Sequence, residues 1–258
     1  MPCLGMNIDH VATLRQARYP SGGGAGASAP AMSEPDVVRA MHESELGGAS
    51  CITMHLREDR RHVVDRDIER VREATRVKFN LEMAATDEMV AIAERVRPHM
   101  VTLVPEGRME VTTEGGLDVA QQQGRLGEVV SRLVDAGASV SAFVDPECGQ
   151  IAAAGASGFA WVELHTGPYA HAWFDAGGDE RDDRLARELE RLRDAASAAR
   201  VAGVGLNAGH ALNYDNVGPV ARLDGVRELH IGHSIVARAV FAGLREAVAG
   251  MVARLAVG

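Results

Sequence analysis

"VKFNLEM", residues 77–83, decides how this sequence folds. Side chains two apart on a strand share a face, so Phe79, Leu81 and Met83 fall together and Lys78, Asn80 and Glu82 fall opposite. The outer face of a barrel packs under helices and takes the apolar set. Lys78, Asn80 and Glu82 must then point inward.

The same kind of run recurs along the chain: "CLGMNID" (3–9), "SCITMHL" (50–56), "MVTLVP" (100–105), "SVSAFVD" (139–145), "FAWVELH" (159–165), "VGLNAG" (204–209) and "ELHIGH" (228–233). Helical patterns lie between them, at 36–48, 66–76, 86–97, 124–137, 183–203 and 234–255, several closed by a glycine. Strand and helix alternating eight times over about 250 residues is the arithmetic of a (β/α)8 TIM barrel in the α/β class. A doubly wound open sheet would carry G-x-G-x-x-G after its first strand, where this chain has "NIDHVATLRQ" (7–16). We read residues 1–258 as a single barrel domain. The Gly-, Ala- and Ser-rich stretch 20–35, "PSGGGAGASAPAMSEP", is read as a flexible rim insertion that buries too little to offset its ordering entropy.

Composition excludes several classes. The net charge of −9 and the 4% aromatic content disfavour a nucleic-acid partner or an acidic membrane surface. Cys3, Cys51 and Cys148 are odd in number and far apart, as expected of reduced thiols in a cytoplasmic protein. No secretory leader is recognisable, and the apolar C-terminal stretch is interrupted by Arg238, Arg245 and Glu246, which fits an amphipathic helix and not a membrane span.

The inner face is unusually polar. By alternation it carries Asn7 and Asp9, Thr53, His55 and Arg57, Asn80 and Glu82, Glu163 and His165, Asn207, and Glu228 and His230. Barrel interiors are normally filled by branched apolar residues, and barrel enzymes place their chemistry at the C-terminal strand ends. No H-x-H, H-E-x-x-H, G-x-S-x-G or paired-cysteine motif is present, and Lys78 stands at the wrong end of its strand for a Schiff base. Proton transfer remains, with His55, Glu82, Glu163 and His210 as the acids and bases of one cavity. Arginines 15, 18, 57, 60 and 61 and the strand-to-helix junction "IGHSIV" (231–236), with Ser234 as a cap, suit a phosphorylated ligand.

The segments "NIDHVATLRQAR" (7–18), "ITMHLREDRRHVVDRDI" (52–68), "NLEMAAT" (80–86), "LVPE" (103–106), "VTTEGGLDV" (111–119), "ELHTGPYA" (163–170), "NAGHALNY" (207–214) and "IGHSIVARAV" (231–240) together resemble the pyridoxine 5′-phosphate synthase family. The resemblance implies a TIM barrel with a few extra helices, assembled as a homo-octamer. It implies condensation of 1-deoxy-D-xylulose 5-phosphate with 3-amino-1-hydroxyacetone 1-phosphate to pyridoxine 5′-phosphate, with no metal and no organic cofactor. By motif match His55 and Glu82 correspond to proton acceptors, His210 to a proton donor and Glu163 to a group that stabilises transition-state charge. Asn7, Arg18, Gly232 and His233 correspond to contacts with one substrate phosphate, and Asp9, His10, Arg57, His62 and Thr112 to contacts with the other substrate. Ala211 stands where the family motif has glycine, and Gly107 where it has a basic residue. The loop 105–118 is read as a lid. Two other readings stay open from the residues alone: another phosphosugar enzyme on this barrel, or a non-catalytic protein that binds a phosphorylated metabolite.

Overall fold

The computed structural model describes residues 1–20, 33–106 and 115–257. Eight parallel strands close into one barrel in sequence order: β1 (Cys3–Asn7), β2 (Cys51–His55), β3 (Lys78–Met83), β4 (Met100–Leu103), β5 (Ser139–Val144), β6 (Trp161–His165), β7 (Gly205–Gly209) and β8 (Val226–Ile231). The helices around it are α1 (Asp9–Arg18), α2 (Val37–Leu46), α3 (Asp65–Ala74), α4 (Asp87–Val96), α5 (Val119–Asp135), α6 (Cys148–Ala156), α7 (Gly167–Asp175), α8 (Asp183–Ala202), α9 (Val217–Ala221), α10 (His233–Ala242) and α11 (Leu244–Val257). The expected (β/α)8 barrel with additional helices is therefore the fold.

The alternation read in β3 holds. Phe79, Leu81 and Met83 are fully buried against the helical layer, with Ile52 and Met54 of β2 and Val162 and Leu164 of β6 in the same core. Each such side chain contributes about 1.5–3 kcal/mol. Three local expectations are corrected. The first strand stops at Asn7 and does not reach 9, because the Asn7 side-chain carbonyl accepts the Asp9 amide at 2.9 Å and turns the chain into α1. That helix lies ahead of the one at 36–48, which the sequence suggested was first. The C-terminal helix breaks at Gly243, where φ is 82°, so 234–255 is two helices and not one.

The interior is polar along the barrel axis. At the N-terminal end Lys78 pairs with Glu228, and Trp161 donates to Ser139 at 3.0 Å. Above them Thr53 bonds His230 Nδ1 at 2.7 Å, and Thr102 donates to Asn80 at 3.0 Å. Two glycines make room for this layer. A Cβ on Gly5 would stand 2.7 Å from His230 Nδ1, and one on Gly209 would stand 2.3 Å from Glu163 Oε1.

Of the stretch 20–35, residues 21–32 lie outside the described structure, as do 107–114 of the loop read as a lid, including Gly107 and Thr112. No helix among the described residues is long and apolar enough to cross a membrane.

Replacing Gly5 by alanine pushes a methyl into the bonded His230 ring. Urea denaturation is expected to show a loss of about 1–3 kcal/mol, whereas unchanged stability would mean that the ring moves freely.

Candidate active site

The C-terminal ends of the strands surround a cavity of about 290 Å³, lined among others by Asn7, Asp9, His10, His55, Glu82, Glu163, His210, Ala211, His230, Gly232 and His233. Ten of the fourteen residues singled out in the sequence thus meet in one space.

Asp9 ties two strand ends together. Its carboxylate accepts the Asn7 side-chain amide at 2.8 Å and the His55 backbone amide at 2.9 Å. Burial raises its pKa to about 6, against the pull of the His55 charge. Glu82 is paired with His55 across the β2–β3 ladder. Burial, then Glu163 and then Asp9 hold its pKa well above the ordinary carboxyl range. Burial raises Glu163 as well, with the His230 charge opposing. Among the described residues neither oxygen of Glu163 has a hydrogen-bond partner, and His210 Nδ1 stands 3.9 Å from Oε1. Two carboxyl groups this close do not both ionise readily, so the pair retains a proton at pH values where an exposed acid has lost its own.

His210 opens the turn after β7 with φ at 77°, and Ala211 follows at 57°. The glycine expected at 211 by resemblance would take this left-handed conformation without strain, and Ala211 takes it at a cost of about 1–2 kcal/mol. Carbonyl acceptors hold the turn in place: Thr166 Oγ1 donates to the Gly209 carbonyl at 2.7 Å and also bonds that of His210, while Asn216 donates to Ala211 at 3.1 Å. Phe143 packs on the His210 ring at 4.3 Å between centroids. Burial, with His165 and His55 beside it, lowers the His210 pKa to about 3.

Gly232 caps α10, and His233 is the first residue of that helix, with its ring 4.8 Å from that of His10. The amides at this terminus and the two imidazoles face the same cavity, a setting suited to an anion. Ser234 does not cap the helix, because its hydroxyl donates to the Leu212 carbonyl at 2.8 Å.

Of the remaining predicted residues, the described ones, Arg18, Arg57 and His62, lie around the rim. Arg57 is buried beside Asp59 at 3.3 Å and Glu106 at 3.8 Å. The His62 ring stands 6.2 Å from that of His55, and burial together with the positive charges of His55 and Arg57 lowers its pKa to about 3. Arg18 is exposed at the end of α1, stacked over Tyr19, and does not line the cavity. The reading of all five rim arginines as ligand contacts is corrected for two of them. Arg15 is buried in a bidentate pair with Asp67 at 2.7 and 2.8 Å, and Arg60 is buried between Asp65 and Glu88. Arg15 joins α1 to α3, and Arg60 joins the loop after β2 to α3 and α4.

Three participants were not singled out. Glu106 reaches within 3.5 Å of His55 Nε2. His230 lies under Glu82 and Glu163 as a third titratable group. His165, paired with Asp145 at 3.0 Å, meets the His210 ring edge-on at 5.8 Å. Strand alternation had marked His230 and His165 as inward. Nothing local marks Glu106, which follows the end of β4.

Residues 4–256 match the family described as pyridoxal phosphate biosynthesis protein PdxJ. A relative from Aromatoleum aromaticum, named pyridoxine 5′-phosphate synthase, is 58% identical over 96% of this chain and 94% of its own. One of the same name from Azoarcus sp. is 56% identical over 96% of this chain and 95% of its own. Among solved structures, a thiamine phosphate pyrophosphorylase from Pyrococcus furiosus superposes with a TM-score of 0.59 over 99% of this chain and 96% of that one. At 16% identity that likeness is one of fold alone.

The two lowered imidazoles give a direct test of the cavity's electrostatics. His62 and His210 are expected to stay neutral at pH 5 and to titrate near pH 3, read by nitrogen NMR of labelled histidine. Because both pKa values lie below the unfolded value of about 6.5, their contribution to stability is complete above that pH and declines as pH falls toward 3. Rings already protonated at pH 6 would contradict the burial.

Proposed function

The chain belongs to the PdxJ family of pyridoxal phosphate biosynthesis proteins, and on that premise we propose that it is a pyridoxine 5′-phosphate synthase. The reaction is the condensation of 1-deoxy-D-xylulose 5-phosphate with 3-amino-1-hydroxyacetone 1-phosphate, releasing pyridoxine 5′-phosphate, inorganic phosphate and water. The observation that carries this reading is the meeting of Glu82, Glu163, His55 and His210, from four different strand ends, around one cavity.

The amine of one substrate adds to the ketone of the other and water leaves as the imine forms. Phosphate then leaves, and a carbon–carbon bond closes the ring. Each step moves a proton, and several acids and bases of different pKa serve that sequence. His55 and Glu82 are the proton acceptors in this scheme. Glu163, next to His210, stabilises positive charge that develops on nitrogen. His210 is neutral in the free protein. A phosphate dianion entering beside it favours the imidazolium, so the proton-donating form arises as substrate binds. Gly232, His233 and Asn7 are assigned to one phosphate. His10, Asp9, Arg57 and His62 are assigned to the other substrate, together with Thr112. Arg18 belongs to the scheme by resemblance alone. A protein that only binds a phosphorylated metabolite has no use for two buried carboxyl groups at the centre of its pocket, since their burial is costly.

The proposal extends to a homo-octamer in the cytoplasm. Exposed Leu14 and Val240, with Val11, Val236 and Ala239, line an apolar groove of about 530 Å³ between α1, α2 and α10, and such surfaces commonly pack against another chain.

Purified protein incubated with both substrates and a chelator is expected to form pyridoxine 5′-phosphate, followed by mass. Glu82→Gln is expected to keep the fold and lower turnover by roughly 10²–10⁴-fold. Near-normal turnover in that variant would remove Glu82 from the mechanism, and the absence of product with wild-type protein would reject the reaction.

A further inference from the structure

Glu82, Glu163 and His230 come from β3, β6 and β8 and meet on the barrel axis. One oxygen of each acid and one ring nitrogen of His230 all lie within 4.8 Å of one another. All three side chains are buried, Glu163 at 1% exposure and His230 at 4%. Among the described residues, both Glu163 oxygens and His230 Nε2 lack a hydrogen-bond partner. Asn207, beside Glu163 in the β6–β7 ladder, is equally buried, and neither atom of its amide is bonded to a described residue. Unbonded polar atoms in such a place cost about 1–3 kcal/mol each, so something is expected to occupy the space between them.

The chemistry of the donors narrows the occupant. Two carboxylates and an imidazole form a set suited to a divalent first-row transition cation, and two negative charges balance it. His230 is already oriented as metal-bound histidines are. Its Nδ1 is held by Thr53 Oγ1 at 2.7 Å, which leaves Nε2 as the open nitrogen. Glu228 Oε2 faces Nε2 at 3.4 Å, a long polar contact that a cation would replace, and Glu228 keeps Lys78 as its partner. Donors around a cation with bonds of about 2.0–2.2 Å stand roughly 3–4 Å apart. Small side-chain rotations therefore complete the set.

We propose that the cavity takes up a divalent transition cation, zinc above all, on Glu82, Glu163 and His230. The bound cation ties up Glu82 and Glu163, the proton acceptor and the charge-stabilising group of the proposed reaction, and so it inhibits. The inhibition rests on the function proposed above, whereas the binding does not. Magnesium, which prefers six oxygen ligands and keeps its water, does not compete there.

Calorimetric titration of chelator-treated, dialysed full-length protein with zinc chloride tests the binding, and the visible spectrum of the cobalt(II) form reports the ligand set. One zinc per chain is expected. Glu163→Gln should weaken it by at least 10-fold and Thr53→Val, which removes the shortest bond to Nδ1, by about 10-fold. The Cys3→Ser/Cys148→Ser variant should bind as wild type does, which sets aside the exposed thiols. Thermal melting checks that each variant is folded. No stoichiometric binding by wild type, or unchanged zinc affinity in both Glu163→Gln and Thr53→Val, would overturn the site. In the product assay without chelator, zinc should stop turnover and magnesium should not. Full turnover with zinc bound would overturn the inhibition, and a protein that makes no product at all would leave the calorimetric result standing by itself.

Discussion

Two carboxyl groups held out of water inside a closed barrel set the terms for the rest of this structure. Glu82 and Glu163 are almost wholly buried, and their charges repel. An isolated buried carboxylate costs several kcal/mol, so the surroundings must hold protons, dipoles or opposite charge close by. The interior supplies these in layers. Lys78 and Glu228 close the N-terminal end, Thr53, Asn80, Thr102 and His230 form a bonded layer above them, and the acids come next, under the mouth. The apolar core that offsets this cost lies outside the sheet, between strands and helices, and it is extensive.

Rigidity at the mouth comes from contacts that are themselves polar. Asp9 links the ends of β1 and β2, Thr166 and Asn216 hold the turn carrying His210, and Arg15 joins α1 to α3 through Asp67. Such bonds fix the side chains at the mouth more tightly than loop packing alone, because a lost partner leaves a buried group unsatisfied. They also explain why two of the arginines around the rim are unavailable to a ligand. Their guanidinium groups have carboxylate partners within the protein.

The imidazoles show the same economy. His62 and His210 are kept neutral by burial and by the basic groups beside them, while Asp9 and Glu82 are held toward the protonated form. Acids that keep protons and bases that stay free of them, within one cavity, are what a sequence of proton transfers near neutral pH requires.

Much of this was legible in the residues. Period-two alternation is a local property, so "VKFNLEM" announced both its apolar outer face and an inward Glu82, and eight such runs separated by helices led to the barrel. Ten of the residues marked for the site were already on strand ends or the turns after them. What one-dimensional reading could not reach depends on closure and register. The approach of His230 to Glu82 and Glu163 requires β8 to pair with β1 and the sheet to close, and no spacing along the chain encodes it. The capture of Arg15 by Asp67 depends on where α1 and α3 dock, and the reach of Glu106 to His55 on where the loop after β4 settles. The sequence by itself determined which side chains face the interior, because that follows from backbone geometry. Tertiary structure decided which of them touch, because distances between strands are set only when the barrel closes.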